Sequence, residues 1–345
     1  MPHKRSGLAA LASAVLVAVG ASEWEAEIVA ESLVDADERG VHSHGLMRLS
    51  RYAEAVSAGG IVPRAEMVWE QPRDAVALLD AERGFGQVAM HHATDRAAEL
   101  ASSTLGVGIA GVTRSTHYGA GATWGARLTA SGCVGIIAST TGACAAPFGA
   151  AERLLGANPV TIAFPGDPDP IILDMATSAT AYGAVLGAHR EGRTIPEDWA
   201  LDGDGRPTTD PRSALKGALR TFGGHKGSGL AVMVELLAGA LIGGSFSHEI
   251  ADIQVAPDAV MEAGHLVIAV DASFAGTEFA VRAASLAERV RDARPCDGAM
   301  SVEMPGDREL QHKQESQDRG IDLPRSIEED LENLAEKYGF SLSKG

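Results

Sequence analysis

Apolar residues in this chain recur with two periods, and the change from one to the other marks out the elements. The Ala/Leu/Val-rich run Leu8–Val19 predicts a first helix that stops near Gly20. Ser22 followed three residues later by Glu25 is a capping box. Ile28, Val29, Leu33 and Val34 then return at helical spacing, and two helices are predicted over 22–58 around the segment Asp35–Gly45. Gly59, Gly60 and Pro63 break the pattern. Beyond them, 75–81 reads as a strand, Gln87–Leu105 as a helix and Val107–Thr113 as a buried strand. A helix near 121–131 leads to a strand over Val134–Ser139. Glycine and proline punctuate 142–170, with short apolar runs at Val160–Phe164 and Ile171–Asp174, and 190–213 is polar, turn-rich surface. Gly227–Leu241 is so apolar that it predicts a helix buried on most sides. A strand over 265–271, a helix over 276–292 and an amphipathic helix over 327–338, with Ile327, Leu331 and Leu334 in register, complete the chain. Strands and helices mix without regular βαβ alternation, so the fold class is α/β of the mixed α+β kind.

Composition narrows the function. A length of 345 residues suits about two domains, and 45% apolar content supplies a core. The net charge of −17 argues against nucleic acid as a partner. No continuous apolar stretch of membrane-spanning length is evident. Three cysteines without a CxxC predict reduced thiols. Lys4 and Arg5 before the first apolar run, with Gly20-Ala21-Ser22 after it, imitate a secretory signal. Because helical periodicity continues straight into the next segment, the run is read as structure instead.

Four clusters carry candidate chemistry. In Ser43-His44-Gly45-Leu46-Met47-Arg48, a helical conformation would put His44, Arg48 and Tyr52 on one face. There an imidazole exchanges a proton while a guanidinium grips a carboxylate, as a 2-oxo or 2-hydroxy acid requires. The alternatives are Arg48 paired with Asp35, Asp37 or Glu38, or a metal site begun by His42 and His44. The second cluster is Ser115–Ala122, where His117 sits at a turn and the start of the following helix offers amides to a phosphate. The third, Gly223-Gly-His-Lys-Gly-Ser-Gly229, opens a helix with Lys226 as an anion cradle or a simple turn. In the fourth, Asp174 ends an apolar strand, where it would hold a ribose hydroxyl or cap a turn. Cys144 reads as buried and inert. Gly106–Gly111 fits GxGxxG, but a helix precedes it and a strand follows, the reverse of a dinucleotide fingerprint.

The order DxxxxHSHGxxRxxxY, STHYGA, LLGANP, LDMATS, GGHKGSGL, PGD resembles the malate/L-lactate dehydrogenase family along nearly the whole chain. That family includes ureidoglycolate and sulfolactate dehydrogenases and the piperideine/pyrroline-2-carboxylate reductases. The resemblance implies a metal-free, non-Rossmann, NAD- or NADP-dependent hydride transfer in a cytoplasmic homodimer. It implies a helical domain from 1–63 and 289–345, and a cofactor domain from 64–117 and 157–288 around a largely antiparallel sheet. A small segment, 118–156, completes the cleft. By motif match, Ser43, His44 and His117 are catalytic, while Arg48 and Thr141 bind substrate. His117, Tyr118, Gly119, Ala120, Gly121, Asp174, Met175, Ala176, His225, Lys226 and Asp307 meet the cofactor.

Three departures bear on the substrate. Thr140-Thr141-Gly142 stands where the family commonly has Thr-Asn, Ala157 where it has Thr, and Tyr182 where it often has Arg. Losing that Arg weakens the case for a dicarboxylate. The expected activity interconverts a 2-oxo and a 2-hydroxy acid, with no nucleic-acid or membrane partner. Its rivals are reduction of a cyclic imino acid and a non-catalytic ligand-binding member.

Overall fold

The capping box forms as the sequence predicts. Ser22 Oγ accepts the Glu25 amide at 3.2 Å while Glu25 accepts the Ser22 amide at 2.8 Å, starting the helix α2 (Glu23–Glu38). The computed structural model describes residues 2–103, 106–253, 255–276 and 278–340. Before α2 lies α1 (Arg5–Ala18), and after it α3 (Leu49–Ala58). The signal-like run is core: Leu8, Leu11, Ala12, Val15 and Leu16 of α1 are buried. Around them pack Leu33, Leu49, Tyr52 and, from the other end of the chain, Ile327, Leu331 and Leu334.

The central sheet takes β1 (Val68–Arg73), β2 (Val76–Asp80), β3 (Val107–Ser115), β4 (Cys133–Ser139), β5 (Val160–Phe164), β6 (Ile171–Met175) and a late strand. Helices α4 (Gly86–Ser103) and α5 (Gly121–Ala130) fall between these strands; the predicted end of α4 at Leu105 lies outside the described residues. Next come α6 (Tyr182–Arg190), the two-residue pair β7 (Ala200–Leu201) and β8 (Ala218–Leu219), and α7 (Pro211–Ala214) between them; β7 and most of α7 fall inside the segment read as polar surface. Then follow α8 (His225–Ala238), β9 (Ala263–Asp271), α9 (Glu278–Arg291), α10 (Asp307–Arg319) and α11 (Arg325–Tyr338). Thr277, inside the predicted 276–292 helix, is also outside the described residues.

Strand order is β1-β2-β3-β9-β4-β5-β6. Only β2 and β3, joined through α4, run parallel, and the other neighbours are antiparallel. Side chains alternate across this sheet. Leu79, Ala110, Val112, Val267 and Ala269 face α4, while Leu78, Ile109, Leu266 and Ile268 face α8. The glycines of Gly106–Gly111 serve that packing. A Cβ at Gly108 would meet the α4 backbone at Ala97, and one at Gly111 would sit 2.7 Å from Ile242 on the other face. No pyrophosphate is needed to explain them.

Burial on most sides is corrected for α8. Its Ala231, Val234 and Ala238 are buried, whereas Val232, Met233, Leu236 and Leu237 are exposed, and Leu241 beyond its end is 68% exposed. One sheet face covers one face of the helix, and among the described residues nothing covers the other. The stretch His225–Ile242 has the length and mean hydropathy, 1.3, of a spanning helix. It nonetheless carries buried Glu235, held by Asn158 Nδ2 at 2.6 Å and by the Ser247 amide at 2.9 Å.

Candidate active site

Gly45 decides the local geometry of the first cluster. The expected continuous helix through His44, Arg48 and Tyr52 does not form: His42–His44 and Leu46–Arg48 are separate 3-10 turns, and α3 begins only at Leu49. Gly45 sits at φ −90°, ψ −149°, outside helical space, and the buried Asp37 carboxylate occupies the place a Cβ would take. That carboxylate accepts the Leu46 amide at 2.7 Å and pairs with His42 Nδ1 at 2.7 Å.

The side chains converge all the same. Ser43 Oγ lies 2.9 Å from His44 Nδ1, and Arg48 Nε donates to the Ser43 carbonyl at 2.6 Å. The His44 ring stacks on His117, centroids 5.5 Å apart at 26°. Tyr52 Oη lies 2.6 Å from His117 Nδ1. The acids once weighed as partners of Arg48 have other partners: Asp35 holds Arg39 at 2.9 Å and Lys313 at 2.5 Å, Asp37 holds His42, and Glu38 holds Arg5 at 3.2 Å.

Both imidazoles are kept neutral. Burial, helped by the nearby Arg48 charge, lowers the His44 pKa to about 4. Burial, then Arg48, His44 and His265, lowers that of His117 well below its ordinary value. Burial pushes the Tyr52 phenol up to about 12.

The turn after β3 joins this cluster to the second half of the site. Tyr118 is buried against His265, ring centroids 4.8 Å apart, and its carbonyl accepts Trp124 Nε1 at 2.9 Å. Gly119 takes φ +83°, and Ala120 precedes α5. The start of that helix is not open to a phosphate at every amide, since Asp174 accepts the Ala122 amide at 2.8 Å and Thr161 Oγ1 at 2.9 Å. Asp174 is therefore a cap, but of α5, distant in sequence, rather than of the turn that follows it. A Cβ at Gly121 would collide with Thr161 and Asp174, so only glycine admits this contact.

Beyond Met175 and Ala176, both half-buried, the strand end is stitched to two other motifs. The Thr177 amide donates to the Ala157 carbonyl at 2.7 Å, and the Phe222 amide to the Thr177 carbonyl at 3.1 Å. Thr141 Oγ1 accepts the Ala157 amide at 2.9 Å, so two of the three departures touch one another. The third, Tyr182, lies under the Arg153 guanidinium, 5.8 Å from its ring centroid. Gly224, at φ +61°, precedes α8, whose first residues His225 and Lys226 are exposed. Phe148 packs edge-on against His225 at 5.9 Å. Asp307 starts α10 in a two-point pair with Arg291, at 2.9 and 2.6 Å. It lines a cavity of about 340 Å³ with Asp167, Asp169 and Gln311, which His44, Arg48 and His117 do not line.

The sequence did not single out Gln87 or His265. Gln87 had only marked a helix start, and His265 only a strand; neither has a neighbour in sequence to signal chemistry.

A model of the malate/L-lactate dehydrogenase family matches residues 4–332. The chain belongs to the malate/L-lactate dehydrogenase family. It is an oxidoreductase, as are its named relatives in that family. It is 35% identical over 330 residues to the malate/(S)-sulfolactate dehydrogenase of Methanothermus fervidus, covering 95% of this chain and 96% of that one. It is 34% identical over 336 residues to the Δ1-pyrroline-2-carboxylate/Δ1-piperideine-2-carboxylate reductase of Pseudomonas putida, covering 96% and 95%. The solved sulfolactate dehydrogenase of Methanocaldococcus jannaschii superposes with a TM-score of 0.91 at 32% identity, covering 99% of this chain and 98% of that one. Malate/L-lactate dehydrogenase family membership brings a nicotinamide cofactor with it.

Proposed function

We propose that this enzyme interconverts a 2-oxo acid and its 2-hydroxy acid, with Arg48 gripping the carboxylate and His44 exchanging the proton on the C2 oxygen. The observation that carries this reading is the convergence of Ser43, His44, Arg48 and His117 despite the break at Gly45. The nicotinamide, when bound, gives or takes the hydride at C2. In the oxidative direction a neutral His44 is ready to accept the hydroxyl proton, and the Ser43 hydroxyl orients its ring. In the reductive direction a substrate carboxylate against Arg48 offsets the charge that disfavours a protonated His44.

The residues fit the cofactor. Exposed Lys226 at the start of α8 adds an ammonium to the helix dipole for a phosphate. The amides of Lys226, Gly227 and Ser228 already donate to Gly223, Phe222 and Gly224, so the ammonium and the dipole carry that role. Met175 and Ala176, at a strand end pinned through Thr177, would meet the nicotinamide, and Asp174 would meet it from the rim.

Reduction of a cyclic imino acid is the second reading, favoured by the likeness to the Pseudomonas putida reductase. A homodimer is supported by the exposed apolar face of α8, where Met233, Leu236 and Leu237 lie uncovered in one chain. Three free thiols support a reducing compartment, the cytoplasm.

The test is oxidation of NADH and of NADPH against pyruvate, oxaloacetate, sulfopyruvate, Δ1-pyrroline-2-carboxylate and Δ1-piperideine-2-carboxylate. Turnover of an oxo acid supports the first reading, and turnover of an imine alone moves the assignment to the second. Cofactor left unoxidised across the whole set refutes both.

A further inference from the structure

The two stacked histidines differ in what faces their Nδ1 atoms. His44 Nδ1 meets the Ser43 hydroxyl at 2.9 Å, a group that donates or accepts as required. His117 Nδ1 meets the Tyr52 hydroxyl at 2.6 Å and the Gly119 amide at 3.3 Å. A backbone amide only donates, so at 3.3 Å the Gly119 N–H favours His117 Nδ1 as an acceptor with the ring proton on Nε2, and the shorter Tyr52 contact decides which tautomer is held.

The rest of the network agrees. If Nδ1 is an acceptor, the Tyr52 O–H must point at it, and the Tyr52 oxygen must then receive a donor from elsewhere. That donor is Gln87 Nε2, at 2.9 Å. Orienting the amide this way leaves Gln87 Oε1 buried with no hydrogen-bond partner among the described residues. Buried polar atoms are seldom left so, and an orphaned acceptor marks a position where another requirement prevails. Here that requirement is the direction of the chain Gln87 N–H to Tyr52 O–H to His117 Nδ1. Gln87 is 1% and Tyr52 0% exposed, so water does not rewrite the pattern.

We propose that Gln87 and Tyr52 are positioning residues that lock His117 as a neutral imidazole with its proton on Nε2, serving as a fixed hydrogen-bond donor and leaving proton exchange to His44. This rests on the reading of the cleft given under Proposed function and deepens it. The two histidines have separate duties: one can change tautomer against a hydroxyl, and the other cannot. A fixed neutral donor stabilises developing negative charge on the substrate oxygen without itself gaining or losing a proton.

The experiment has two arms. In the first, the full-length protein is labelled with 15N at histidine, and the ring nitrogens are observed by NMR with no ligand added; His117→Gln assigns the signal. The expected result is the Nε2–H tautomer for His117 in the wild type, and a change of tautomer in Gln87→Glu. That carboxylate accepts from Tyr52 and reverses the chain. An Nδ1–H wild-type His117 overturns the proposal whatever the substrate is.

The second arm measures NADH oxidation with oxaloacetate and with sulfopyruvate. Gln87→Met keeps the bulk but removes the donor that turns the Tyr52 O–H toward His117 without reversing it, so kcat should fall about three- to ten-fold, less than in the Glu variant. Gln87→Glu should lower kcat about 30-fold or more with KM changed far less, because the misdirected group acts in the transition state. Tyr52→Phe should fall between them, and it remains informative if the Glu variant does not fold. A packing role would instead rank the isosteric Glu above Met and leave the tautomer alone, and that order overturns the proposal. A correct tautomer in a protein that turns over no oxo acid or imine would count against the function assigned above and leave this assignment standing.

Discussion

Gly45→Ala probes the turn that builds the site. A Cβ at this position would lie closer than 3.0 Å to three atoms of the Asp37 carboxyl group. Asp37 is buried and cannot retreat into solvent, and its oxygens hold His42 and the Leu46 amide, each at 2.7 Å. Overpacking of this kind costs about 1–3 kcal/mol. Losing one charge-assisted bond adds about 1.5–3 kcal/mol, against a gain of about 0.4–1 kcal/mol from a stiffer unfolded chain. The net loss should be about 2–5 kcal/mol. Because Ser43, His44 and Arg48 flank the displaced residue, kcat/KM should also fall about 100-fold, as expected for reacting groups misplaced by an ångström. Urea denaturation gives the stability, and steady-state cofactor oxidation gives the activity. Gly183→Ala is the control: nothing lies within 4 Å of a Cβ there, in α6, and the change should be neutral or stabilising by up to about 1 kcal/mol. If Gly45→Ala behaves like Gly183→Ala in both assays, Asp37 does not hold the turn as argued.

Arg48→Ala should lower kcat/KM for a 2-oxo acid by the equivalent of about 2–4 kcal/mol through the loss of a charge-assisted contact, and kinetics within two-fold of wild type would remove Arg48 from the site. His44 and His265 are held near pKa 4, against about 6.5 in an open chain, both chiefly by burial. The folded state binds fewer protons than the unfolded chain between those values, so their contribution is complete above pH 6.5 and is lost as pH falls toward 4. That loss is about 3 kcal/mol for each histidine, and a urea midpoint independent of pH across this window would refute it. Burial raises the Cys144 thiol to about 12, so iodoacetamide near neutral pH should modify exposed Cys296 and spare Cys144, as peptide mass mapping would read.

Legibility followed locality. The capping box at Ser22, the register of Ile327, Leu331 and Leu334, and the exclusion of Gly106–Gly111 as a nucleotide loop all depend on near neighbours in sequence, and the structure has each of them. The break at Gly45 depends on a carboxylate eight residues upstream folding back, which periodicity does not register. β1 was missed because all six of its residues are exposed on a sheet edge and Pro72 interrupts its pairing, leaving no alternation to read. α10 was missed because no residue in it is buried, so it has no apolar stripe. The misjudged α8 shows the converse. An apolar helix looks the same in sequence whether its second face meets the chain's own core or is left uncovered. Tyr52 and His117 were each noticed, but their contact spans 65 residues, and Gln87 reaches the pair from a third element.

The guanidinium of Arg48, flanked by uncharged imidazoles, sits inside a molecule whose overall charge is −17. At low ionic strength the envelope repels an incoming acid before the cleft can attract it, because attraction from a single cation extends only about 8 Å in physiological salt while the collective repulsion reaches further in dilute buffer. Added salt should therefore hasten capture of a dianion until it also begins to mask the cleft. Such an enzyme encounters its ligand fastest at intermediate salinity, the reverse of one that steers anions from afar.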